Sequence, residues 1–98
     1  MRFHYIVSYD IADPIRLRKV HKIMRDFGDG IQLSVFACQL SENDHAALEG
    51  RLLAAINQRE DQVLLVKLGP SRHDEEGPPR CDVLGRPLNP GFVRVVVV

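Results

Sequence analysis

The stretch FGDGIQLSVFACQLS, residues Phe27–Ser41, decides the fold. From Ile31 to Leu40 it alternates. Ile31, Leu33, Val35 and Ala37 fall on one face, and Gln32, Ser34, Phe36 and Cys38 on the other, which is strand periodicity. Gly28 is a natural helix stop, and Gly30 gives a second flexible point before the strand. Read as one strand, this segment leaves the chain a strand short of a βαββαβ unit. A middle hairpin strand drawn from 31–40, or a short strand ahead of the second helix, completes that unit.

The flanking segments supply the other elements. Arg2 to Tyr9 alternates and is rich in β-branched and aromatic residues, so it reads as a strand. Asp13-Pro14 sets an N-cap followed by proline at the first helical position. Ile15, Val20, Ile23, Met24 and Phe27 then recur at helical spacing and predict an amphipathic helix over 14–27. Ser41-Glu42-Asn43-Asp44 has the form of a capping box with Asp as its acid, and Leu48, Leu52, Leu53 and Ile56 predict a helix ending near Asn57. VLLVKL, 63–68, reads as a strand buried on both faces.

These elements predict one α+β domain over 1–98, a ferredoxin-like βαββαβ sandwich with its helices on one sheet face. Residues 1–68 form its core. Residues 69–91 form a Gly/Pro-rich connector with four glycines, five prolines and a short strand at Asp82-Val83-Leu84, and 92–98 form a terminal strand. The helix-free face is expected to carry Tyr9 and Phe36 and to need a cover. The tail FVRVVVV would be an exposed apolar edge if left alone. A homodimer, with the tail strand exchanged or packed across it, answers both needs.

Composition narrows the function classes. The formal net charge is zero, but residues 1–40 carry six Lys/Arg against four Asp/Glu, while 41–62 carry two against five. A polyanion-binding surface therefore belongs in the first 40 residues. Cys38 and Cys81 fit no metal-ligand spacing. No signal-peptide layout opens the chain, and no apolar run approaches the ~20 residues that span a membrane, so a cytoplasmic protein without membrane contact is expected.

Asp10 ends the first strand and faces the start of a helix carrying Arg16, Arg18, Lys19 and Lys22. The helix N-terminus adds partial positive charge. One carboxylate beside a cationic rim suits a divalent ion meeting a phosphodiester. A carboxylate at this position is also a common turn residue. Asp13 reads as the N-cap and not as a ligand. A Mg²⁺ site uses one or two carboxylates with waters and phosphate oxygens, so one chain offers half a site. A two-fold partner would bring a second Asp10.

These residues resemble those of the CRISPR-associated protein two family, the small subunit of the spacer-acquisition machinery. The likeness rests on Tyr9-Asp10-Ile11, on Arg16, Arg18 and Lys19 at the helix start, and on Gln32 to Phe36, with a looser match at 63–70. The resemblance implies a ferredoxin-like homodimer and a Mg²⁺-dependent nuclease acting on RNA or DNA, with Asp10 from each subunit sharing the ion. It nominates Tyr9, Asp10, Arg16, Arg18, Ser34 and Phe36 as catalytic, and Arg16, Arg18, Lys19 and Lys22 as nucleic-acid contacts. The other role that it implies is a non-catalytic DNA-binding scaffold for the CRISPR integrase subunit, binding duplex DNA or single-stranded RNA.

Overall fold

The computed structural model describes residues 1–72, 79, 81–86, 88, 96 and 97. The order is β1 (Arg2–Asp10), α1 (Pro14–Phe27), β2 (Gly28–Gln32), β3 (Val35–Leu40), α2 (Glu42–Ala55) and β4 (Gln62–Ser71). The strand that the sequence left uncounted is Gly28–Gln32, and the alternating segment breaks at a turn over 33–34 into the β2–β3 hairpin. The sheet order is β2-β3-β1-β4 with every neighbour antiparallel. This is the split βαβ arrangement of a ferredoxin-like sandwich.

Local chemistry explains the helix boundaries. The Asp13 carboxylate accepts from Ile15 N at 3.0 Å and Arg16 N at 2.9 Å, with Pro14 at the first turn. Ser41 Oγ accepts from Asp44 N at 3.1 Å and the Asp44 side chain accepts from Ser41 N at 3.3 Å, so the capping box is closed in both directions. At the other end of α1 the Gly28 N–H donates to Met24 O, and the chain passes directly into β2. A Cβ on Gly28 would meet the Ala37 carbonyl oxygen and lie 2.5 Å from Cys38 Sγ. Absence of a side chain there lets β2 lie against β3.

The core lies between the helices and one sheet face. Tyr5, Val7 and Tyr9 of β1 meet Phe36, Cys38 and Leu40 of β3, under Val20 and Met24 of α1 and Leu48 and Leu52 of α2. Tyr9 and Phe36 were expected on the opposite face. They point inward because Tyr9 shares the parity of Tyr5 and Val7, and Phe36 that of Cys38 and Leu40. Nor is β4 buried on both faces. Val63 and Leu65 pack on the core, whereas Leu64, Val66 and Leu68 are 52, 47 and 41 % exposed. Only one face of the sheet carries helices, so an apolar strand alternates between covered and open sides.

β4 continues through Gly69 and Pro70 to Ser71, three residues into the segment expected as a connector. Further on, β5 (Asp82–Val83) pairs in parallel with β6 (Val96–Val97). β5 falls on the short strand expected at 82–84. The rest of the terminal strand expected over 92–98, and 73–78 of the connector, lie outside the described residues.

Candidate nucleic-acid cleft at Asp10

Asp10 is the last residue of β1, pairs with Gln62 across the sheet, and leaves its carboxylate exposed. Beside it the Tyr9 N–H donates to Ser34 O at 3.1 Å, carrying the β1–β3 ladder one step into the hairpin turn. That bond brings the turn against the strand end. The result is a cleft of about 520 Å³ that contains Tyr9, Asp10 and Ser34 on its floor and Arg18, Lys22 and Arg25 on its α1 wall. These three cations are spaced i, i+4 and i+7, which places them along one stripe of a helix.

Several expected site residues therefore meet here: Tyr9, Asp10, Arg18, Lys22 and Ser34. Ser34 belongs to the turn and not to the strand that carries Phe36. Phe36 lies behind the cleft in the core, its ring 6.2 Å from that of Tyr9. Lys19 is exposed but is not a lining residue of the cleft. Arg16 is turned elsewhere: its Nε donates to Asp61 Oδ2 at 2.7 Å and its Nη2 to Asp61 Oδ1 at 3.1 Å.

Two polar lining residues stand outside the set expected at the site. Arg25 continues the stripe begun by Arg18 and Lys22, a signal present in the helical spacing. His21 stands one turn from Arg18, and its Nδ1 lies 3.0 Å from Tyr9 Oη. Burial pushes the Tyr9 phenol up from its ordinary value, so it keeps its proton at neutral pH and can either donate to Nδ1 or accept from it, as the His21 tautomer dictates.

The fit to a divalent cation follows from the donor set. Asp13 is occupied as the α1 cap and Asp61 by the Arg16 pair, leaving Asp10 as the carboxylate of the cleft. Among the described residues, no group of three or more His, Cys, Asp or Glu side chains converges. One exposed carboxylate per chain does not make a closed cation cage. It does fit a hydrated Mg²⁺, which binds through one or two carboxylates and completes its shell with water and phosphate oxygens.

Fold and cleft together define a class: a small ferredoxin-like α+β protein with a single carboxylate beneath a stripe of helix cations. The profile of the family described as CRISPR associated protein Cas2 matches residues 1–75, and the chain belongs to that family. It is 37 % identical over the full length of both chains to the CRISPR-associated endoribonuclease Cas2 of Geobacter sulfurreducens. It is 45 % identical to CRISPR-associated endoribonuclease Cas2 1 of Rhodospirillum rubrum over 67 residues, 68 % of this chain and 66 % of that one. Among solved structures it resembles Streptococcus pyogenes Cas2, with a TM-score of 0.64 and 31 % identity over 67 % of this chain and 86 % of that one. It also resembles the hypothetical protein TT1823 of Thermus thermophilus, with a TM-score of 0.69 and 26 % identity over 81 % and 96 % of the two chains. No helix among the described residues is long and apolar enough to cross a membrane.

Proposed function

We propose that this chain is a Mg²⁺-dependent endoribonuclease of a CRISPR system, as its curated relatives are named, working as a homodimer in spacer acquisition. The observation that supports the reading is the meeting of Asp10 with Arg18, Lys22 and Arg25 in one cleft. The cations neutralise backbone phosphates and hold a single strand along α1, and Asp10 binds the cation side of the scissile group. A bound Mg²⁺ would polarise the phosphate and acidify a coordinated water. The His21 imidazole, oriented by Tyr9, presents its other nitrogen away from that hydroxyl and offers a hydrogen bond within the cleft.

The dimer supplies the second Asp10 and covers the open side of β4, where Leu64, Val66 and Leu68 are exposed. The test is cleavage of a single-stranded RNA by purified Asp10→Asn. Loss of cleavage with dimer and RNA affinity retained is the expected result. Wild-type rates in that variant would sink the nuclease reading.

A second reading, a non-catalytic scaffold that grips duplex DNA for the CRISPR integrase subunit, is favoured by the ratio of three cations to one carboxylate in the cleft. Spacer acquisition by Asp10→Asn cells separates the two. Acquisition that survives the substitution supports the scaffold, and acquisition that fails supports the nuclease.

A further inference from the structure

The loop that leaves Asp10 is tied down at one point. Asp61 stands immediately before Gln62, the strand partner of Asp10, and its side chain is closed to solvent. Its Oδ1 accepts from Ala12 N at 2.9 Å and Arg16 Nη2 at 3.1 Å. Its Oδ2 accepts from Asn57 N at 2.8 Å and Arg16 Nε at 2.7 Å. One carboxylate thus joins the β1–α1 loop two residues past Asp10, the first turn of α1, and the α2–β4 loop.

Such a group is stable inside a protein only when its donors are complete. Two amides and a guanidinium fork complete them here. Arg16 is committed by the same geometry. Its Nε–Nη2 edge, which could otherwise take two oxygens of a phosphate, already takes the two oxygens of Asp61. Its Nη2 also lies 3.5 Å from Glu60 Oε1, which adds a second negative group on that side. Arg18, two residues on, has no such clamp among the described residues and lines the cleft.

We infer that Asp61 is a positioning residue for Asp10, and that Arg16 acts on the cleft through Asp61 and not by gripping a phosphate. Without the clamp the Ile11–Asp13 loop loses its anchor, and Asp10 loses its fixed direction at the strand end.

This inference rests on the reading of Asp10 as a cation-holding carboxylate, so the experiment measures two independent quantities on the full-length protein. The first is Mn²⁺ binding, followed directly by calorimetry. Asp61→Asn and Arg16→Gln should each weaken it by about tenfold, the lower end of what losing a group bonded directly to a metal ligand costs, since Asp61 acts on Asp10 through the loop backbone. The double variant should be no weaker than the worse single one. The second is affinity for an RNA oligonucleotide without divalent ions, measured across salt concentration. Arg16→Gln should keep the wild-type slope of log affinity on log salt, whereas Arg18→Gln should lower it by about 0.7, the share of one phosphate on a single strand.

Unchanged Mn²⁺ binding in folded Asp61→Asn overturns the positioning role. An Arg16→Gln slope reduced as far as that of Arg18→Gln overturns the assignment of Arg16. Should Asp61→Asn fail to fold by circular dichroism, Arg16→Gln decides the matter alone, since it keeps both amide donors on Asp61. Wild-type protein that binds no Mn²⁺ overturns the reading of Asp10 and the positioning role with it, while the salt slope still decides the role of Arg16.

Discussion

The Tyr9 hydroxyl sits 3.0 Å from His21 Nδ1, linking the floor of the cleft to its helical wall. The phenol donates when Nδ1 is bare and accepts when Nδ1 carries the proton, so this bond couples the hydroxyl to the His21 tautomer. Nitrogen NMR of His21 should show one tautomer in excess in the wild type, and Tyr9→Phe should shift the population toward the mixture of a free imidazole. Loss of this one hydrogen bond should cost about 1 kcal/mol in urea unfolding.

The α1 stripe makes a second prediction. Arg18→Gln, Lys22→Gln and Arg25→Gln should each lower the salt slope of RNA binding by about 0.7, the value for one single-strand phosphate. Lys19→Gln, whose side chain is exposed but outside the cleft, should leave it unchanged. Fluorescence anisotropy with labelled RNA at several salt concentrations reads both outcomes. A Lys19 effect equal to that of Lys22 would move the track to another helix face.

Stability should fall at both ends of the pH scale, for different residues. The hydrogen-bonded Arg16 guanidinium holds the Asp61 carboxyl far below the usual carboxylate range. A carboxyl depressed in the fold stabilises it above the ordinary carboxyl value, about 3.9, and that contribution is lost as pH falls through the folded value. Asp61→Asn should abolish this acid limb and lower the melting midpoint at neutral pH much more than Asp26→Asn, which breaks the exposed pair with Arg51. At the alkaline end, burial pushes the Cys38 thiol up to about 12. That contribution is complete below the unfolded thiol value, about 8.5, and is lost as pH rises toward the folded one. Melting curves from pH 2 to 11 follow both limbs.

Three glycines should respond to alanine in three ways. Gly28→Ala places a methyl on the Ala37 carbonyl and Cys38 Sγ, and should destabilise by about 1–3 kcal/mol as an overpacked site does. At Gly30 the added carbon would lie 3.4 Å from Phe36 Cζ, an ordinary contact, so the change should be small. Gly50, in α2 with open space around it, should gain about 0.5–1 kcal/mol with alanine. Urea midpoints for the three variants should fall in that order.

Much of this architecture was legible because its signals are local. Asp13-Pro14 and Ser41-x-x-Asp44 cap their helices through bonds that span two or three residues. Asp10, Arg18 and Lys22 could be grouped because a strand end and one helix face follow from periodicity. β2 was hidden because Gly28, Asp29 and Gly30 have little strand preference. That strand exists through its pairing with β3 and the narrow gap at Gly28. The inward turn of Tyr9 and Phe36 was fixed by strand parity, which the pattern showed, together with the side on which the helices lie, which it did not. Asp61 was out of reach, since Arg16 lies 45 residues from it along the chain. No spacing rule joins two such positions.

The pairing of β1 with β4 sets when the protein can be finished during its synthesis. Arg2 lies opposite Ser71 and Asp10 opposite Gln62, so one side of the earliest strand has no neighbour until residue 71 has left the ribosome. At about 5–20 residues per second that wait lasts several seconds. For that time β1 can pair with β3 alone, and its other edge stays open to a neighbouring nascent chain. Closely spaced ribosomes on one messenger would bring such open edges side by side.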